Sequence, residues 1–432
     1  MQRADELVWS GMATVFRPDS ERLTDLGYES VSHVPVLFDS EGRYCREYNR
    51  YLRERATVRW TPENSRGHAP SESTMLSIAH WLTNWIEWCE QTGVTFESAT
   101  YDDVLRYQKD QQRGDWSSTG KPIAGSTINT RADEIVSCLT WGATNELRGA
   151  FVVRRISASV PARSIGGGVT LPARTVLRRV GRLKETGGAD PDAFNLPTPK
   201  EVKAWLHAVR ERRGRAKYLC CRFILECGPR RGEVEALTVR QWPERAAIDE
   251  ALAKDAVFVP MKLWVTKGKR PRTIKVPVGY ADEVRQWIDT ARTTMVFRGQ
   301  RRTGKRPDGL FVSDSPGFEG TPIRAQTIYD CFHEVEPRPA KWAPHKGRHA
   351  FACFFVLHAL EMEARAERST VKGMGVDWVT NRGEWWLKTL QRQFGHTNPQ
   401  TTEIYLHWLV SAVQLTDLAN GWHLFLNAED EP

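Results

Sequence analysis

Residues 343–360 read "APHKGRHAFACFFVLHAL", and the fold turns on whether this stretch is an ordinary helix or one that carries a site into a core. His345 and Arg348 stand about one helical turn apart, so their side chains leave the same side of a helix. The apolar run behind them can anchor that helix in a core. His349 is adjacent to Arg348 and lies on a different face. A lone His-x-x-Arg is a weak signal whose default use is capping or a solvated surface. Its meaning depends on what else the chain holds.

Upstream, "LECGPRRGEVEALTVRQW" (residues 225–242) sets Arg230 after a Gly-Pro break, at a helix start where free backbone amides and the dipole favour an anion. Glu233, three residues on, shares its face; alone, the two read as a surface ion pair. Between these stretches "DAVFVPMKLWVTKGKRPRTIKVPVG" (residues 255–279) breaks the helical run. Leu263 and Val265 alternate on one side of a turn and Ile274, Val276 and Val278 on the other, with Gly268 and Pro271 in the turn itself. This predicts a β-hairpin whose basic tip holds Lys267, Lys269, Arg270 and Arg272. Most basic turns are simply solvated. A hairpin lysine, however, can be lowered into a groove and donate a proton to a leaving oxygen, which a guanidinium does poorly because its pKa is too high. Downstream, "RQFGHTNPQTTEIYLHW" (residues 392–408) adds His396 and, nine residues later, Tyr405. Asn398 can cap a helix there and Pro399 suits its first turn, which puts Tyr405 in the second turn with Ile404 and Trp408 free to pack. His407 matches no assignable position.

In this order, Arg230 in "GPRRGE", Lys267 in a hairpin, "HKGR", and "FGH" followed nine residues later by a tyrosine resemble the tyrosine recombinases, the phage-integrase family. The resemblance covers about residues 71 to 415. It implies that Tyr405 attacks a DNA phosphodiester, forms a 3′-phosphotyrosyl link and frees a 5′-hydroxyl, and that the reverse attack reseals the strand with the bond energy kept in the covalent intermediate. Arg230 and Arg348 are then implied on the nonbridging oxygens, with a further hydrogen bond from His396. Lys267 is the implied acid for the leaving oxygen, with Lys269 its rival because hairpin register moves easily. His345 becomes a proton acceptor or phosphate donor, and Glu233 orients Arg230. Fixed cations meet the phosphate charge, so the resemblance implies no cofactor, neither ATP nor metal. Three features depart from the family pattern: Pro229, Gly347 before Arg348, and a long segment 349–395 whose charged middle, "EMEARAERSTVKGMGVDWVTNRGEWW", reads as a surface insertion.

The rest of the chain fits around these motifs. Its 432 residues suggest two domains, or two with an extension. A net charge of +8 suggests a polyanionic partner, double-stranded DNA by resemblance. The eight scattered cysteines form no CxxC pair or zinc-ligand spacing and read as reduced core fillers, and the 17 tryptophans read mainly as packing residues. No carboxylate cluster of the kind metal-dependent nucleases use is evident. With neither a signal peptide nor an apolar run of about 20 residues, a soluble, cytoplasmic protein associated with a bacterial nucleoid is expected.

The expected fold is mainly α with a small β-hairpin. Residues 1–70 form an N-terminal extension with one helical stretch beginning near Ser40, whose charges read as a solvated face. Residues 71–153 form a helical core-binding domain. Its first helix places Met75, Ile78, Leu82, Trp85 and Cys89 inward and stops at Gly93; its last, capped by Ser126 or Thr127, turns Ile128, Ile135 and Leu139 inward. Residues 154–197 read as a basic linker in which Arg154, Arg155, Arg178 and Arg179 are candidate DNA contacts. Residues 198–425 form the catalytic domain, begun by a Thr198 cap and Pro199, and 426–432 an acidic tail. The family implies a C-shaped clamp on DNA, a homotetramer on paired sites, accessory DNA-bending or directionality factors, and the integration or excision of a mobile element. A type IB topoisomerase and an inactive DNA-binding regulator of the same fold are the alternatives. Residues 406–425 can dock on a neighbouring subunit or on their own domain.

Overall fold

The protein is described by a computed structural model over residues 12–63, 67–160, 163–164, 170–171, 174–184, 196–266, 270–395 and 405. It is mainly helical with small antiparallel sheets, and it divides into two compact units, Met1–Gly187 and Gly188–Pro432. Among the described residues no helix is long and apolar enough to cross a membrane.

In the first unit, β1 (Thr14–Phe16) pairs with β2 (Val36–Phe38), with α1 (Ser20–Asp25) between them. Then come α2 (Arg46–Ala56), α3 (Glu72–Thr92), α4 (Tyr101–Arg113) and α5 (Gly125–Thr144). Ser71 caps α3 through Thr74 N–H, and Gly93 ends it in the left-handed region. Met75, Ile78, Leu82, Trp85 and Cys89 are all buried, as their spacing predicts. Trp85 stacks on Trp88 at 5.1 Å, with the Tyr107 ring edge-on to both. Helix α5 starts at Gly125 behind Ala124, so Ser126 and Thr127 fall inside its first turn instead of capping it. Its Ile128, Ile135 and Leu139 are buried.

The segment expected as an extension shares this core. Tyr48, Tyr51, Leu52 and Ala56 of α2 pack among the buried side chains of α3 and α5. The Tyr51 hydroxyl donates to Glu134 at 2.6 Å, and the Trp141 indole N–H donates to Glu54 at 2.7 Å. The charges of α2 that read as a solvated face are thus partly spent on burying it against α5. The expected linker is also structured in part: β3 (Arg155–Val160) pairs with β6 (Arg174–Arg179), and β4 (Arg163–Ser164) with β5 (Thr170–Leu171).

In the second unit, α6 (Pro199–Arg213) opens with the expected proline behind a capping box of Thr198 and Glu201. There follow α7 (Arg215–Cys227), α8 (Arg231–Glu235), α9 (Arg245–Ala253), β7 (Phe258–Leu263), β8 (Arg272–Pro277), α10 (Val278–Trp287), α11 (Thr293–Thr303), α12 (Ala325–Glu334), α13 (Pro344–Ala366) and α14 (Val376–Phe394). Helix α7 is central and lies against α6, α12, α13 and β8. The hairpin register runs from Phe258 opposite Pro277 to Leu263 opposite Arg272. Val259, Met261, Leu263, Ile274 and Val276 form its buried face, whereas Val265 lies beyond the strand and is exposed.

Helix α13 is the opening stretch. Ala352, Cys353, Val356, Leu360 and Ala364 bury one side of it against Val379, Leu387, Leu390 and Phe394 of α14. Each side chain of valine or leucine size buried this way is worth about 2 kcal/mol, enough to fix the helix by packing alone. This pairing also corrects the reading of residues 361–386 as a surface insertion. They form the end of α13 and the start of α14, with Ala364, Val371 and Val379 buried and Glu363 joined to Arg382 through both carboxylate oxygens at 2.6 and 2.7 Å.

Candidate active site

Four elements of the second unit converge on one group of charged side chains. Arg230 stands at the N-cap of α8, immediately after Gly228 and Pro229. Gly228 ends α7 with φ +67°, and an added Cβ would meet the Phe394 ring at 2.7 Å, so conformation and space both demand glycine. Arg230 donates its backbone N–H to Glu233 at 2.8 Å and its guanidinium to the same carboxylate at 3.1 Å, with 30% of its side chain exposed. Arg272, at the start of β8, donates to both Glu233 oxygens at 2.8 and 2.7 Å. Burial by itself raises the Glu233 carboxyl, but the Arg272 and Arg230 hydrogen bonds outweigh it and hold the group below the usual carboxylate range.

Arg348 on α13 is 1% exposed. Its guanidinium lies over the Phe394 ring at 4.2 Å and donates to the carbonyls of Gly228 and, at 2.7 Å, Phe394. Burial first, then repulsion from Arg230, pushes it down to about 9. The guanidinium keeps its charge at neutral pH, held out of water beside another cation, a setting that an incoming anion relieves. Gly347 has its own reason for lacking a side chain: a Cβ there would approach Phe332 to 2.8 Å. Phe332 belongs to an aromatic cluster with Trp205 and Trp342, at ring separations of 4.4 and 5.4 Å, which takes the volume an apolar side chain before Arg348 would fill.

Tyr405 is 3% exposed, in the core shared by α13 and α14. Burial raises its phenol above the ordinary tyrosine value, opposed by the charges of Arg348 and Arg230. Both arginines therefore favour a phenolate here. The phenol oxygen lies 2.6 Å from His349 Nδ1. The His349 ring in turn contacts His345, one turn back along α13, with centroids 4.2 Å apart. His345 is exposed and His349 partly buried.

Arg230, Glu233, His345, Arg348 and Tyr405 thus lie in one neighbourhood, although their sequence numbers span 175 positions. Lys267, Lys269 and His396 lie outside the described residues, as does His407. Two expected DNA contacts are turned to other uses. Arg272 is spent on Glu233 and on the Gln393 carbonyl at 3.0 Å, because it begins the strand instead of sitting at the tip. Arg179 is buried in the first unit, donating to Gln108 at 2.6 Å and to Asp133. Arg270 is exposed; Arg154 pairs with Asp102 and Arg155 with Glu63; Arg178 is exposed on β6. His349 was missed as a site residue. Its signal was the spacing of four from His345, which puts both histidines on one helical stripe and corrects the reading of His349 on a different face. Among the described residues no group of three or more His, Cys, Asp or Glu side chains is gathered as a metal site requires.

Several solved structures align with most of this chain. The XerH site-specific recombinase, in a post-cleavage complex bound to a palindromic difH substrate, aligns over 87% of this chain and 94% of its own with a TM-score of 0.51 and 13% identity. The Tn1549 transposon integrase, with a circular-intermediate DNA, aligns over 84% of this chain and 94% of its own at a TM-score of 0.45 and 16% identity. A lambda integrase dimer bound to a COC′ core site aligns over 84% and 94% at 0.42 and 10%. No family model matches the chain, and no curated protein matches it in sequence. The likeness to XerH is one of fold: this chain has the tyrosine-recombinase fold.

Proposed function

We propose that this protein is a site-specific DNA recombinase that cleaves and rejoins duplex DNA through a 3′-phosphotyrosyl intermediate on Tyr405. The observation that carries this reading is a buried phenol under the field of two arginines, Arg348 and Arg230, in a chain with this fold. Attack of the phenolate oxygen on phosphorus places extra negative charge on the nonbridging oxygens. Arg348 and Arg230, already held by Phe394, Gly228 and Glu233, meet that charge without reorganising. Glu233 is spanned by Arg230 and Arg272, so it acts as an orienting group. Lys267 protonates the leaving 5′-oxygen and His396 adds a phosphate hydrogen bond in this reading. A homotetramer on two paired sites, acting on a mobile element to integrate or excise it, completes it, with both units contributing contacts to the DNA.

The test uses a duplex site selected from randomised DNA by the purified protein, rebuilt as a nicked suicide substrate. A covalent protein–DNA adduct is expected in EDTA, absent from Tyr405→Phe. Arg230→Ala and Arg348→Ala should bind the duplex within a few-fold of wild type while cleavage falls roughly 10²-fold or more. Failure of the specifically bound wild type to form any adduct would sink the enzyme reading in favour of a DNA-binding regulator, and failure to join two sites through a four-way junction would favour a topoisomerase.

A further inference from the structure

Tyr405 has to lose a proton to become a nucleophile, and its surroundings make that costly. The phenol is buried and remains protonated at neutral pH. Arg348 and Arg230 favour its anion electrostatically, but a guanidinium has no acceptor site for the proton. An imidazole does, and its ordinary pKa is close to the pH at which such an enzyme works. Among the described residues, His349 Nδ1 touches the phenol oxygen at 2.6 Å.

We propose that His349 is a catalytic residue, the base that takes the Tyr405 proton during cleavage and the acid that returns it during rejoining; this rests on the reading of Tyr405 as nucleophile. As the phenol oxygen bonds to phosphorus, its proton passes to the Nδ1 lone pair and the bond between phosphorus and the 5′-oxygen breaks. The leaving oxygen takes its proton from a separate acid. In the reverse direction the 5′-hydroxyl attacks and gives its proton back to that separate acid, now in its base form, the bond from phosphorus to the phenol oxygen breaks, and the imidazolium hands its proton to the departing phenol oxygen. The 2.6 Å contact serves both directions, and atoms and charge balance in each.

The charged and titratable groups around this contact fit the assignment. His345 and Arg348 share α13 with His349, Arg230 and Glu233 lie at the start of α8, Arg272 on β8, and Cys353 one turn further along α13. The three arginines oppose a further positive charge beside them. A bound phosphodiester, and then the charge developing on it, offsets that repulsion when the proton moves. His345 is exposed one turn nearer the helix start, and its ring meets His349 edge-on. With proton acceptance given to His349, His345 is left as a donor to the phosphate.

The selected suicide duplex is used with full-length wild type, Tyr405→Phe, His349→Asn and His349→Phe, measuring duplex affinity and single-turnover cleavage from pH 5.5 to 9.5. Asparagine keeps a hydrogen-bond acceptor near the Nδ1 position without being a base; phenylalanine removes both. Expected is a wild-type rate that rises through the imidazole range and then levels. Both His349 variants should fall about 10²- to 10⁴-fold near neutrality, with affinity within about threefold and a rate that keeps climbing into alkali. Recovery to near wild type in His349→Asn, an unchanged pH profile, or faster cleavage in either variant would each overturn the proposal, the last marking a tether that restrains the phenol. If instead wild type forms no adduct, or Tyr405→Phe still forms one, the nucleophile assignment falls and this inference with it.

Discussion

At the scale of single residues, the site is a set of charges that would be expensive alone. Glu233 is almost wholly buried and tolerable only because Arg230 and Arg272 surround it. Replacing it with glutamine leaves Arg272 buried against a neutral partner, and the second unit should lose roughly 3 kcal/mol at pH 7. The pH dependence follows from the direction of its shift. The folded-state carboxyl is held below its unfolded value, so its contribution is fully present above the unfolded pKa of about 4.3 and disappears as pH falls through the lower folded value. The stability gap between wild type and Glu233→Gln, measured by urea unfolding, should therefore narrow below pH 4. A gap that stays constant with pH would mean the carboxylate charge is not what stabilises. Sequence made Arg230, Glu233, His345, Arg348 and Tyr405 legible as candidates because each sits in a short pattern. Arg272 was read as a DNA contact instead of a partner of Glu233, and His349 was not read as a site residue: one depends on a partner 39 positions away, the other on a contact made 56 positions on.

At the scale of elements, periodicity carried most of what was legible. The inward faces of α3 and α5, and Leu263, Ile274 and Val276 of the hairpin, follow from spacing alone, whereas Val265 is exposed beyond the strand and Val278 begins α10. What spacing does not show is how elements are tied. Gln393, in the last turn of α14, accepts from the Lys275 N–H at 2.9 Å and donates to the Lys275 carbonyl at 2.9 Å and to that of Cys227 at 3.2 Å. It thus joins the hairpin, the end of α7 and the helix that leads toward residue 396. A glutamine between Arg392 and "FGH" carries no signal in the sequence of these long-range bonds. Gln393→Ala should cost about 1–3 kcal/mol, since it orphans the Lys275 amide and two carbonyls. The Lys275 amide should then exchange hydrogen markedly faster while the amides of α3 and α5 are unaffected. Unchanged Lys275 protection would show that the strand is held by its partner β7 alone. The same limit explains α2 and residues 361–386, where charged wording concealed buried faces because the charges pair with each other: Arg55 with Glu134, Arg382 with Glu363.

For the whole molecule, the net charge of +8 says that a polyanion is favoured but not which cations meet it. The basic stretch between the helical units divides into two kinds of arginine. Arg178 is exposed on β6 and Arg155, on β3, pairs with exposed Glu63, whereas Arg179 points inward to Gln108 and Asp133. If the first unit engages the same duplex that the second cleaves, the outward arginines contribute to binding through counterion release and the inward one through the fold. Arg155→Gln and Arg178→Gln, made in the full chain, should each reduce the slope of log affinity against log salt by about 0.9, with little change in thermal stability. Once DNA is saturating, their cleavage rates should match wild type, because both belong to the first unit and the charged group described around Tyr405 to the second. Arg179→Gln should do the opposite, lowering the unfolding temperature of the first unit while leaving the salt slope of the folded fraction nearly intact. Equal salt slopes for wild type, Arg155→Gln and Arg178→Gln would show that this strand pair stays clear of the phosphates, and DNA affinity would then have to come from the exposed cations of the second unit, Arg270 at the hairpin among them.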